Sequence, residues 1–352
     1  MVLMVGVDVH KDTHTAVLVD ELGRRQAART VKATDAGHLQ LLAWAVEQAS
    51  GVEVCWAVED CRHVSTRLER ALLAADQRVL RVPPKLMAGA RSSARTRGKS
   101  DPIDALAIAR AALREPELPV AEHDQTSLEL KLLVDHREDL VGERTKMICR
   151  LRWHLHDLDP ALAPGARGLD KPTRLRELAA RLAAEHTGIR ARIAGELVSD
   201  ILERTTRIRA LERELAARTR ALVPQLLELP GCGPLSAAKI VGETARPGRF
   251  RSEACFAMHA GVAPIPASSG RTDRHRLARG GNRQLNAALH RIAITQVRLP
   301  GSLGAGYYQR RTNTGNTKPE ALRALKRRLA RVVFNLLLQP TNTTTRPHPA
   351  AA

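Results

Sequence analysis

Two apolar runs that each stop on a carboxylate constrain this chain more than anything else in it. Val2-Leu3-Met4-Val5-Gly6-Val7 ends on Asp8, and Val52 through Val58 ends on Glu59. Both runs mix in β-branched residues and are too short for ordinary helices, which predicts buried strands. Lys11 to Val19 and Ala27 to Lys32 read as further strands either side of a turn at Gly23, while Ala36–Ala49 and His63–Ala75 carry helical apolar spacing. Arg78–Val82 supplies a last strand, closed by Pro83-Pro84, and a helix runs from Pro102 to about Leu113. The order is strand, strand, strand, helix, strand, helix, strand, helix.

That order matches an RNase H-like fold of the α/β class. In such a fold the first strand's Asp and the fourth strand's Glu lie side by side at one sheet end, and the final helix carries its acids over the same point. Asp101 and Asp104 are three apart, so if both are helical they share a face. Asp8, Glu59, Asp101 and Asp104 are thus the expected metal site. Oxygen-only ligands suit Mg²⁺ or Mn²⁺ rather than zinc, and two such ions roughly 3.5–4 Å apart hold both the attacking and the leaving oxygen of a phosphodiester. A plainer reading stands beside this one. Pro102 suits a first helical turn, so Asp101 can be an N-cap answered by Asp104, Asp8 a turn residue, and Glu59 a solvated neighbour of Asp60.

The formal net charge of +19 predicts a polyanionic partner, with an Arg- and Ala-rich composition as the bland alternative. Aromatic residues make up only 2%, so base-stacking platforms are not expected to dominate and Arg and Lys contacts to phosphates are. Lys85 to Lys99 reads as a basic loop whose Arg91, Arg95, Arg97 and Lys99 lie just ahead of the aspartates, where they can hold phosphates flanking a scissile one. Five cysteines without C-x-x-C spacing argue against a zinc site or disulfide framework, and for a reducing, cytoplasmic setting. No apolar stretch approaches the roughly 18–20 residues of a membrane span, no signal peptide is expected, and no G-x-x-x-x-G-K-[ST] loop is present.

The 352-residue chain is long enough for two or three domains. The expected divisions are 1–115, a helical coiled-coil region at 125–225, a mostly α-helical domain at 226–340, and a disordered tail at 341–352. From Ser127 to Leu158 apolar residues follow two seven-residue lines, and a second stripe runs Ile189, Ile193, Leu197, Ile201, Ile208, Leu211, Leu215, Leu222. These predict two long amphipathic helices, folding back on each other or pairing with another subunit, with a shorter helix at Thr173–Ala184 between them. Leu229-Pro230-Gly231-Cys232-Gly233 then resembles a helix-hairpin-helix grip on a nucleic-acid backbone, with Gly231, Gly233 and Lys239 as contacts, or else an ordinary Gly-rich turn. Ser268-Ser269-Gly270 follows, flanked by Arg271, Arg274, Arg276, Arg279 and Arg283. A serine among cations is placed to attack or bind a phosphate, although composition alone favours a plain polar loop. Helices from Arg283 to about Val297 and from Pro319 to Leu338 end the ordered chain.

Taken in order, Asp8, Glu59, the box Lys99-Ser100-Asp101-Pro102-Ile103-Asp104-Ala105, Leu229-Pro230-Gly231-Cys232-Gly233, Gly261-Val262-Ala263-Pro264 and Ser268-Ser269-Gly270 resemble the IS110 family of insertion-sequence transposases, related to the Piv invertases. The resemblance spans roughly Val5 to Leu338. It implies a DEDD, RuvC-like domain with Asp8, Glu59, Asp101 and Asp104 as metal ligands. It also implies a transposase domain whose Ser269, with Ser268 as the alternative, forms a covalent phosphoseryl link to DNA. The implied partners are donor and target DNA, a structured bridge RNA, and further copies of the chain, from dimer to tetramer. A site-specific invertase or a Holliday-junction-resolvase-like nuclease, using water as attacker, is the competing enzyme. One departure is local: Asp60-Cys61-Arg62 follows Glu59 where many relatives carry small residues.

Overall fold

The computed structural model describes residues 2–92, 100–115, 118–122, 124–162, 168–268, 275–278 and 280–339. The expected phosphate contacts Arg95, Arg97, Lys99, Arg271, Arg274 and Arg279, the expected nucleophile Ser269 and the expected 341–352 tail lie outside these residues. The chain forms two compact units, Met1–His123 and Asp124–Ala352.

The first unit runs β1 (Val2–Val9), β2 (Thr13–Val19), β3 (Arg25–Lys32), α1 (Asp35–Ala49), β4 (Glu53–Glu59), α2 (Arg62–Ala74), β5 (Arg78–Val82), α3 (Pro84–Ser92) and α4 (Asp101–Arg114). The strands form one sheet in the order β3-β2-β1-β4-β5. β2 is antiparallel to both neighbours, while β1, β4 and β5 run parallel, which is the RNase H-like arrangement expected above. Strand alternation divides the core in two. Val5 and Val7 face a layer with Leu41, Trp44, Leu68 and Leu72 from α1 and α2. Met4, on the opposite face, meets Ala105, Ile108 and Ala109 of α4.

Helix α4 lies unusually close to β1. A Cβ built on Gly6 would stand 2.2 Å from the Ala105 carbonyl oxygen and 2.5 Å from the Ala109 nitrogen. Only glycine permits this approach, because both obstacles are backbone. Asp8 shares the Gly6 face by the two-residue strand period, so the close seat of α4 brings the first turn of that helix to the Asp8 end of β1.

The basic segment expected as a loop is helical in its first part. Pro84 stands at the start of α3, whose Ala90 is buried and whose Met87 packs with the α4 layer.

On the sheet's other face, His14 of β2 and His38 of α1 are buried and stacked, with ring centroids 5.3 Å apart. His14 Nδ1 and both His38 nitrogens have no hydrogen-bond partner. Burial, and His38 after it, push the His14 imidazole down to about 4 from its ordinary 6.5. The unfolded chain therefore takes up a proton below about pH 6.5 that the fold refuses until about pH 4, so stability is full above 6.5 and is lost as pH falls through this window. The loss attributable to His14 is roughly 3 kcal/mol at its greatest. Thermal melts between pH 7 and pH 4 are expected to show it, and His14→Phe should flatten the dependence; an unchanged slope in that variant would remove His14 as the cause.

The second unit begins with α5 (Gln125–Leu158), α6 (Pro172–Glu185) and α7 (Ile189–Leu222). Helices α5 and α7 pack together as an antiparallel pair within the chain. Arg218–Glu129, Arg137–Glu212, Arg204–Glu143 and Arg190–Asp157 fix the register along its length. These pairs are largely solvated, so they set alignment more than stability. The buried seam of α7 is Ala191, Ala194, Val198, Ile201, Thr205, Ile208, Leu215 and Thr219. Ile201, Ile208 and Leu215 of the expected stripe lie in this seam, whereas Ile189 is 71% exposed and small residues such as Ala191 and Ala194 take seam positions that the large aliphatics did not mark. Leu175, Leu178 and Leu182 of α6 close the far core against Leu151, Leu155, Val198 and Ile201.

The unit continues with α8 (Pro224–Leu227), α9 (Pro234–Thr244), α10 (Glu253–His259), β6 (Pro264–Pro266), β7 (His275–Leu277), α11 (Arg283–Arg298), α12 (Leu303–Asn313) and α13 (Lys318–Leu338). Their shared core, centred on Ile240, Phe256, Leu289 and Phe334, also takes in Leu130 and Val134 of α5 and Leu215 of α7. The expected middle and C-terminal regions therefore share one core. No helix among the described residues is long and apolar enough to cross a membrane.

Candidate active site

Asp8 is the last residue but one of β1, and Glu59 is the last residue of β4. The parallel register pairs Val7 with Val58, so Asp8 and Glu59 occupy neighbouring positions at the same sheet end. Asp101 and Asp104 lie in the first turn of α4, where a helix N-terminus favours carboxylates. Ser100 is the N-cap but its side chain makes no cap hydrogen bond, and Pro102 occupies the first turn. The N-cap role considered for Asp101 is excluded, since Asp101 is already helical.

Asp8 and Asp104 are both buried. Burial raises the Asp8 carboxyl above its ordinary range, His10 opposes this, and the charges of Asp104 and Asp101 raise it further. Packing anionic groups together out of water is costly, and a cation among them relieves the cost.

His10 enters the site although the sequence reading passed it over. Its Nε2 lies 3.1 Å from Asp8 Oδ2 and 3.6 Å from Asp101 Oδ1. Among the described residues, Asp8, His10 and Asp101 form the set whose candidate ligand atoms all lie within 4.8 Å of one another. The signal was available in the spacing, since Asp8 and His10 are two apart at a strand end and project to one side. Glu59 and Asp104 stand outside this tight set, and the Cys61 thiol sits against Glu59. Burial, then Glu59, push that thiol up to about 11, so it remains protonated and able to donate to the carboxylate.

Arg91 was expected to hold phosphates. Its Nη1 instead lies 2.9 Å from Asp104 Oδ1, so its charge is spent on a site carboxylate.

In the second unit β6 and β7 pair as a short antiparallel hairpin, with Ile265 opposite Arg276. The connection between them carries Ser268, which is exposed, and Ser269. The hairpin's base is held by crossing glycines: Gly261 has φ +64°, and a Cβ on Gly281 would stand 2.2 Å from Gly261 Cα. Asn286 of α11 donates to the carbonyls of Ala260 (3.1 Å) and Gly261 (2.9 Å) and accepts from Lys326 Nζ (2.9 Å). This hairpin was not foreseen, since three-residue strands containing two prolines carry no periodic signal. Arg276 on β7 and Arg283 at the start of α11 are exposed, as phosphate contacts must be.

Lys239 is corrected. It is 3% exposed, and its ammonium is held by Glu138 and by Gln284 (2.7 Å), so it is an internal ion pair of a central core helix and not a phosphate contact. Gly231 is likewise explained by packing: it has φ +86°, and a Cβ there would meet Thr295 at 3.0 Å. Only Gly233, at the N-cap of α9, keeps an open approach.

Carboxylates crowded at a sheet end, in a chain this basic, suit a class of enzymes: those that act on nucleic-acid phosphodiesters with a divalent metal. Comparison with known proteins narrows it. A family model for the DEDD transposases of IS110, described as "Transposase", matches residues 5–160, and one described as "Transposase IS116/IS110/IS902 family" matches residues 223–309. The 43.6 kDa protein of insertion element IS110 from Streptomyces coelicolor is 31% identical over 69% of this chain and 71% of that protein. The 44.8 kDa protein of IS116 from Streptomyces clavuligerus is 28% identical over 95% of this chain and 94% of its own length. The 42 kDa protein of IS900 from Mycobacterium paratuberculosis is 28% identical over 94% of each. A chain of T. thermophilus RuvC in complex with a Holliday junction substrate matches 34% of this chain at 15% identity with a TM-score of 0.27.

The chain belongs to the IS110 family of insertion-sequence transposases. It is a transposase, an enzyme of DNA strand cleavage and transfer.

Proposed function

We propose that the protein recombines the DNA of an insertion element through a covalent phosphoserine intermediate, guided by a structured bridge RNA. The observation that carries this reading is the gathering of Asp8, Asp101 and Asp104 beside Glu59 at one sheet end, in a chain that also presents a serine-bearing hairpin among cations. The donor set is oxygen-rich and anionic, with Asp8 raised by its neighbours' charges, which fits a hard divalent cation, Mg²⁺ or Mn²⁺. Asp8, Glu59, Asp101 and Asp104 would hold it, with His10 at hand beside two of them. When bound, the metal supplies Lewis-acid stabilisation of the charge developing on the scissile phosphate.

The remaining chemistry falls to side chains. The Ser269 hydroxyl attacks phosphorus and loses its proton to solvent; the phosphodiester bond to the leaving DNA oxygen breaks, and that oxygen takes up a proton. The new phosphoester conserves the bond energy until a hydroxyl of a second strand attacks it and releases the serine, so no nucleotide cofactor is consumed. Ser268 is the alternative nucleophile. Arg276 and Arg283 hold neighbouring phosphates. The apolar seams of α5 and α7 are used within the chain, so assembly into dimers or tetramers draws on other surfaces, such as the exposed Trp153 and Ile189.

The experiment is adduct trapping on the full chain with end-labelled DNA and Mg²⁺. Ser269→Ala is expected to abolish the denaturant-resistant protein–DNA band while DNA binding persists, and Ser268→Ala to retain it. A band surviving in both single variants removes the serine as nucleophile, and strand cleavage with no band in the parent protein favours the nuclease alternative; either result ends the proposal. RNA guidance has a separate test, namely whether a structured transcript from the element's flank co-purifies with the chain.

A further inference from the structure

A basin of about 600 Å³ opens in the second unit between the β6–β7 hairpin and the helices α12 and α13. That volume lies within the range of built ligand sites, roughly 300–1,000 Å³. His275, Arg276, Arg311, Arg323, Lys326 and Arg327 line it, with Glu320 as its lining carboxylate. The acids near it are already engaged. Glu253 binds Arg327 and Arg331, and Arg327 above all holds its carboxyl down at about 2. Glu320 closes a capping box on Thr317, accepting from its backbone N–H (2.9 Å) and hydroxyl (2.7 Å), and stands 3.9 Å from Arg323.

Lys326 is the exception in this accounting. The residue is half-buried, and the hydrogen-bond partner of its ammonium is the neutral Asn286 amide. The titratable groups that face it are Arg323 on its own helix and His290 on α11, and neither supplies a negative charge. Burial, then Arg323, push the Lys326 ammonium below its ordinary range; burial, then Lys326, do the same to His290. A cation taken out of water without a counter-charge is unfavourable unless an anion arrives to share the site. Arg311 and Arg276 complete the opening, both exposed, and neither has a carboxylate partner among the described residues.

We infer that this basin is a DNA phosphate site, with Lys326 at its floor and Arg311 and Arg276 at its rim. Resting on the reading that the adjoining hairpin carries the nucleophile, the site holds a backbone phosphate of the strand the serine attacks. It fixes that strand against the hairpin it is to react with. Asn286 ties the two functions together, because the same amide accepts from Lys326 and donates to the Ala260 and Gly261 carbonyls at the hairpin's base. Lys326 and Arg311 are therefore positioning residues.

The test is equilibrium binding of the full chain to a fluorescent DNA duplex of arbitrary sequence, and to an RNA duplex of the same length, across a salt series. Lys326→Met keeps the stem and removes a desolvated charge, so it folds at least as well as the parent. Arg311→Gln lies on the surface, and Arg192→Gln on α7 serves as the control. For DNA, the slope of log K against log salt is expected to shrink by about 0.9 in Lys326→Met and again in Arg311→Gln, and by about twice that in the double variant. The control slope stays at the parent value. An unchanged DNA slope in both single variants, or a loss confined to the RNA duplex, overturns the inference. Because the readout is binding, its failure leaves the serine chemistry standing, and a missing covalent adduct leaves this site standing.

Discussion

Gly6→Ala is expected to destabilise the first unit by about 3 kcal/mol or more and to cost most of the DNA-cleaving activity. The added methyl would stand 2.2 Å from the Ala105 carbonyl oxygen and 2.5 Å from the Ala109 nitrogen. Neither atom belongs to a side chain that can swing aside, so α4 must lift from β1. Its first turn carries Asp101 and Asp104, and lifting it withdraws them from Asp8. Gly142→Ala is the matched control. Gly142 lies inside α5 with nothing within 4 Å of an added Cβ. Alanine there should be neutral or stabilising by up to about 1 kcal/mol. Urea unfolding of the two variants separates these outcomes; a Gly6→Ala midpoint equal to the parent's would mean the seat of α4 is looser than described.

Asp8→Asn is expected to lower the rate of Mg²⁺-dependent strand cleavage by about 10³-fold, with no rescue from added metal. Fold stability should not fall with it. The Asp8 carboxyl is raised by burial and by Asp104 and Asp101, so its charged form is less favourable folded than unfolded. Above its folded value that charge subtracts from stability, and a neutral isostere relieves the strain. The expected pattern is thus an inactive enzyme with a melting temperature equal to or above the parent's. An equally inactive variant that melts lower would point to a packing role for Asp8 instead.

What could be read in advance follows from how local the signal is. The strand order was legible because Val2–Val7 and Val52–Val58 are short, apolar and each stopped by an acid, and the observed sheet order agrees. The seat of α4 was not, because Ala105 and Ala109 look like composition until the opposing Gly6 is known. The α5 and α7 stripes were visible as periodicities, yet their partners were not, since heptads specify a face and not what covers it. That left the contact inside the chain and the small-residue seam of α7 to the structure. At the acidic cluster the carboxylates were legible from their order on the elements, whereas His10 was not, because a histidine just past a strand end reads as a turn residue until Asp101 is seen beside it. Lys239 misled because a lysine after a Gly-rich turn resembles a phosphate contact, whereas Glu138, a hundred residues earlier, neutralises it in the core.

The proposed mechanism requires Asp8 and Ser269 to act on the same phosphodiester. Quantifying the covalent protein–DNA adduct tests it most directly, in the parent chain, Asp8→Asn and Ser269→Ala, each with Mg²⁺ and with a chelator. Adduct is expected in the parent with metal and in none of the other five conditions. Adduct at the parent level in Asp8→Asn, or in the chelated parent, would show the serine working without the carboxylates and would contradict the account.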